Sequence, residues 1–140
     1  MTTQFTRFED WPQRLSAHFE EWKQRPFEQG VTDCGHFAAD AVVAVTGVDV
    51  YQAFRGKYST PLGYAKILKK LKFNSISAFC DSHAECVSVL FARRGDIVLR
   101  FEGENEALGV CDGSHSMFLD NNGGLVKVPT DSCVFAWRIG

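Results

Sequence analysis

A nucleophilic thiol needs a lowered pKa and a base within reach, and this chain has five cysteines and four histidines from which to build such a pair. The cysteines are Cys34, Cys80, Cys86, Cys111 and Cys133. They form no CxxC pair and adjoin no His-rich run, so a zinc ribbon is not indicated. Cys80, Cys86, Cys111 and Cys133 could in principle supply the four thiolates of an iron–sulfur cluster. Their spacings match no ligand pattern, however, and Cys111 and Cys133 fall inside apolar strand runs; neither a metal site nor a cofactor is expected. An odd count beside an N-terminus, MTTQFTRFEDW, without an apolar signal stretch points to reduced thiols from a cytosolic maker rather than a disulfide framework. Four of the five read as small buried hydrophobes. Cys34 differs. It follows Asp33, a capping residue, at the first turn of an apolar helix, where free N–H groups and the helix dipole favour the thiolate and can supply an oxyanion donor.

The elements that must position this thiol are read from periodicity. Asp10-Trp11-Pro12 opens a helix with Asp10 as N-cap, and Trp11, Leu15, Phe19 and Trp22 form its apolar stripe. His18 lies beside that stripe in a structural role, and Arg14, Glu20, Glu21 and Lys23 make the solvated face. After the Arg25-Pro26-Phe27 connection, Phe37, Ala38, Ala41, Val42 and Val45 mark a largely buried helix ending at Gly47. A short helical turn is expected over Asp49 to Phe54. Thr60-Pro61 then opens a third helix, with Tyr64, Ile67, Leu68 and Leu71 inward and Lys66, Lys69, Lys70 and Lys72 as a solvated cluster. Between them, Arg55 and Tyr58 flank Gly56 in a loop too polar and aromatic to be filler. They are candidate binding residues facing a partner protein or a groove. Residues 73 to 92 can be read as short helices or strands.

Beyond Gly95 the period shortens to five apolar or alternating runs: Ile97 to Phe101, Leu108 to Cys111, Ser116 to Leu119, Leu125 to Val128 and Val134 to Ile139. Helices followed by closely spaced strands predict an α+β fold, N-terminal helices packed on an antiparallel sheet of about five strands. The 140 residues make one domain, 1–140. A net charge of −2 gives no basic footprint for nucleic acid. The longest apolar candidate for a membrane span, Phe37 to Val45, is short and broken by Asp40. Twelve Phe, three Trp and three Tyr promise an aromatic core or interface.

Thr32-Asp33-Cys34-Gly35-His36-Phe37, with the helix it opens, and Arg94-Gly95-Asp96-Ile97-Val98-Leu99 resemble two landmarks of the NlpC-type cell-wall peptidases. These are papain-like thiol hydrolases that cut peptide crosslinks in peptidoglycan. In that family an Asp-Cys pair opens the nucleophile helix, a Gly-Asp turn starts the first sheet strand, and a following strand carries the base. The third landmark here is Ala107-Leu108-Gly109-Val110-Cys111-Asp112-Gly113. The chain as a whole is similar to small proteins encoded beside tail genes in phages and prophages. The shared parts are the Trp22-to-Phe27 region, the Asp-Cys helix, the loop from Phe54 through Tyr58, and the ending Val128-Pro129, Cys133 and Ala136-Trp137-Arg138.

The resemblance fails where the chemistry is. The family's base histidine corresponds to Ala107, and its orienting residue to Phe118 or Leu119. His115, in the turn after Asp112-Gly113-Ser114, stands roughly 13 Å along the strands from Ala107 at about 3.3 Å per residue. It could act as base only with a different register. His36 is two positions past Cys34 and does not share its helix face, and His83 lies in the open segment. What the resemblance implies is a papain-like domain with a degenerate site. It would serve as a phage tail-tip or tail-assembly component that binds other tail proteins, made in the bacterial host cytoplasm and resident in the virion tail. The alternative is an active peptidoglycan endopeptidase or amidase, with Cys34 attacking an amide and His115 or another chain supplying the base.

Overall fold

Three of the four helices among the described residues begin at a side chain that caps them. Asp33 accepts from the amide of His36, Thr60 from that of Gly63, and Ser75 from that of Ala78, each satisfying a donor that the first turn cannot. The computed structural model describes residues 3–140. In it α1 spans Trp11–Trp22, α2 Cys34–Thr46, α3 Pro61–Lys70 and α4 Ile76–His83. The fold is α+β. The strands are β1 (Cys86–Val87), β2 (Ile97–Glu102), β3 (Asn105–Cys111), β4 (His115–Leu119), β5 (Leu125–Pro129) and β6 (Phe135–Trp137). All pair antiparallel in the order β1-β6-β2-β3-β4-β5. The sheet therefore has six strands where five or so were expected; the extra one is a two-residue edge.

Several expectations are met, others not. α2 stops at Gly47, whose φ of 78° suits a glycine, and its amide closes on Val43. α1 starts where expected, but Asp10 makes no cap: its carboxylate pairs with Arg14 instead, 2.7 Å away. The helical turn expected over Asp49 to Phe54 lies instead at residues 52–56, started by the Phe54 and Arg55 amides on the Tyr51 carbonyl. Leu71, expected to face inward from α3, is exposed, and so is Cys86, which was read as core. No helix is long and apolar enough to cross a membrane among the described residues.

The sheet separates two apolar clusters. On one face Ile97, Leu99, Leu108, Val110, Met117 and Trp137 meet the buried sides of the helices, with α2 against β3 and β4 below and α1 above. His18 belongs to this layer, stacked on Phe37 with ring centres 5.1 Å apart. On the other face a smaller cluster gathers Val98, Ala107, Cys111, Phe118, Cys133 and Ala136. The strands' two-residue period decides which cluster each side chain joins. That alternation also decides what the thiol of Cys34 meets.

Candidate functional site

Cys34 occupies the first position of α2, between its cap Asp33 and Gly35. It packs partly buried against the helix-side cluster and lines a groove of about 630 Å³. The groove's other walls come from α3 (Pro61, Tyr64, Leu68), the start of α4, and the β2–β3 hairpin from Glu102 to Leu108.

The cap is the centre of a buried polar network. Asp33 accepts from the Gly30 amide at 2.9 Å, the His36 amide at 3.0 Å and His36 Nδ1 at 2.7 Å, and also from the Tyr58 hydroxyl. Burial alone would raise its carboxyl, but the bonds from His36, Tyr58 and the two amides hold it below the ordinary value. As an ionised acceptor it takes the Nδ1 proton of His36 and the hydroxyl proton of Tyr58. The Tyr51 hydroxyl, 3.0 Å from that of Tyr58, must then donate to it. Gly35 permits this arrangement: a Cβ there would collide with the Tyr51 hydroxyl.

Asp33, Cys34 and His36 thus have the composition of a thiol triad without its geometry. The imidazole leans back onto the cap rather than toward the sulfur, as the i to i+2 spacing requires. Burial pushes the Cys34 thiol up to about 11, and the charges of Asp33 and Glu102 add to the effect; the main chain of Leu108 opposes it without prevailing. The helix dipole was expected to favour the thiolate. Burial works against it and favours the protonated thiol.

The groove around Cys34 contains no imidazole among the described residues. His115 opens β4 at the far end of the sheet, paired with Pro129, exposed, its Nδ1 3.2 Å from Ser114 Oγ. The Cys111↔Ser116 register sets it opposite Asp112, five residues or roughly 16 Å from Ala107 at about 3.3 Å per residue. The structure does not bring His115 and Cys34 together. Ala107 itself belongs to the cluster on the sheet face away from α2. The β3 side chain on the Cys34 face is its neighbour Leu108, 4% exposed. Of the two residues at the orienter position, Phe118 is buried in the far cluster, and both it and Leu119 line the groove, as Ala107 does. Leu108 was missed because strand parity is invisible until the register is known.

Arg55 and Tyr58 have internal tasks. Arg55 reaches Asp40 on α2 at 2.8 Å and Asp49 at 3.0 Å, tying the helix to the loop that follows it. Tyr58 is 9% exposed and spends its hydroxyl on Asp33. Neither lines the Cys34 groove. Asp96, in the Gly-Asp turn, is fully buried between Arg7 at 3.3 Å and Arg138 at 3.1 Å and also accepts from the amides of Arg93 and Ile139. All five cysteines are free, and no group of three or more His, Cys, Asp or Glu side chains is placed to hold a metal ion among the described residues.

No curated protein shows significant sequence similarity to the chain. A family described as a domain of unknown function, DUF6950, matches residues 6–139. Both landmarks, Asp33-Cys34 and Gly95-Asp96, lie within that span, and the match takes in almost the whole fold: the chain belongs to the DUF6950 family.

Proposed function

We propose that this domain is a degenerate papain-like, NlpC-type fold that acts by binding other proteins, as a component of a phage tail tip or of tail assembly. The observation that carries the loss of catalysis is that no imidazole lines the groove over Cys34 among the described residues. The strand β3 gives that groove Ala107 and Leu108, neither of which can take a proton, and the thiol is pushed up to about 11 by burial. Less than about one thiol in a thousand is then ionised at neutral pH, and no group stands ready to take its proton. The tail assignment is supported by the resemblance of the chain to tail-associated phage proteins.

The test has two arms. Purified protein and its Cys34→Ala variant are incubated with peptidoglycan muropeptides, and the products are followed by mass spectrometry. Neither should release a product, and cleavage by the parent that the variant lacks would overturn the reading. In the phage or prophage that encodes the chain, deletion should abolish intact tails seen by electron microscopy, and the Cys34→Ala chain should restore them. A folded Cys34→Ala chain that fails as the deletion does would return the function to the thiol.

A further inference from the structure

We infer that the groove over Cys34 receives an extended, lysine- or arginine-bearing segment of a partner protein. This rests on the reading of the groove as a binding surface and names the chemistry of what it binds.

The groove is electrostatically one-sided. Asp33, Glu102, Glu104 and Glu106 line it, and no lysine, arginine or histidine does among the described residues. In a chain whose net charge is only −2, this concentrates negative potential in one concave place, where low-dielectric walls focus it. The four carboxylates are not equally free. Asp33 is saturated by its buried donors, and Glu106 accepts from the Ile76 amide at the start of α4. Glu102 is exposed, with Arg100 at 3.7 Å. Glu104, at the tip of the β2–β3 hairpin, is exposed and in no ion pair among the described residues. The hairpin thus offers a cation from outside the unpaired carboxylate of Glu104, beside a Glu102 that Arg100 reaches only at 3.7 Å. The lysines of α3 lie on that helix's outer side, and none of them enters the groove.

The rest of the lining suits a polypeptide better than a small amine. Asn74, Asn105 and Asn121 are exposed on the groove walls, and each carries both a donor and an acceptor. An extended main chain needs that pair at every residue. Phe27, 41% exposed at the mouth, gives an apolar side chain somewhere to rest. Peptides rich in carboxylates are repelled by the same wall.

Fluorescence anisotropy of the whole protein with a labelled, unstructured peptide of lysine, serine and leucine tests this, beside the same peptide with glutamate for lysine. The lysine peptide should bind about tenfold more tightly or better, and raising the salt from about 0.05 to 0.5 M should remove most of that difference. Glu102→Lys/Glu104→Lys should weaken it about tenfold, while Glu9→Lys, an exposed charge outside the groove, should leave it unchanged. Equal binding of the two peptides, no binding, or the same loss in Glu9→Lys would overturn the inference and leave the non-catalytic reading standing. Binding followed by Cys34-dependent cleavage would do the reverse, keeping the groove's preference and removing the claim that the site is inert.

Discussion

Two buried carboxylates anchor the two landmarks of this fold, and they are neutralised in different ways. Asp33 is surrounded by local donors: two amides, a tyrosine hydroxyl and an imidazole. Asp96 lies between two guanidinium groups and two amides. The first organises one helix end and the residues beside it. The second ties the N-terminal segment, the strand β2 and the last residues of the chain into one knot. A carboxylate solvated by local donors can be lost with local damage, whereas one that compensates buried cations leaves those cations exposed to a low dielectric. The motif that resembles a catalytic pair is thus the more local of the two, and the turn that resembles only a structural landmark holds more of the molecule.

The comparison breaks first at Asp96. Asp96→Ala strands Arg7, only 14% exposed, and should cost about 4 kcal/mol in urea unfolding. Asp33→Ala leaves the Tyr58 hydroxyl and two amides without an acceptor and should cost about 2–3 kcal/mol, with a loss of helical signal confined to α2. If the order of these two costs is reversed, the distinction between them is mistaken.

The smallest effect sharpens the acid side of the comparison. Burial lowers the imidazole of His18 from 6.5 to about 4, and its Nε2 has no partner. Below about pH 6.5 the unfolded chain takes up a proton that the folded one refuses, so stability falls as pH drops through that window. The loss should reach about 2 kcal/mol near pH 5 relative to pH 8. His18→Phe should flatten the profile between those values. Below that, the depressed carboxyl of Asp33 gives a separate loss as pH falls under about 4, which the His18→Phe variant should retain. A profile for the variant that still falls between pH 7 and 5 would mean that another group controls it.

What could be read from the chain follows the range of the interactions. Caps and stops are local, so Asp33, Gly47 and Thr60-Pro61 announce themselves, and so do strands broken by turns. Asp10 deceived because Arg14, one turn on, competes for its carboxylate. α4 and β1 could not be assigned because their partners are distant: Glu106 binds the first amide of α4, and β1 exists only through Trp137 and Ala136. The candidate site was half legible. The thiol's place at a helix start was plain, but its pKa depends on what covers it. That Ala107 stands where the resembling family has its base was legible, but which β3 side chains reach the groove over Cys34 waited on the register. Arg55 and Tyr58 looked available in the chain because Asp40, Asp49 and Asp33, which occupy them, approach only in three dimensions.

The guanidinium of Arg7 reaches the carbonyls of Arg94 and Ile139 as well as Asp96. The first and last stretches of the fold are therefore fastened to a common point. Tension applied to the molecule from both ends would pass through that fastening and bypass the sheet, the groove and the helices around it. A domain fastened in this way can bear load at its ends while its groove keeps its shape.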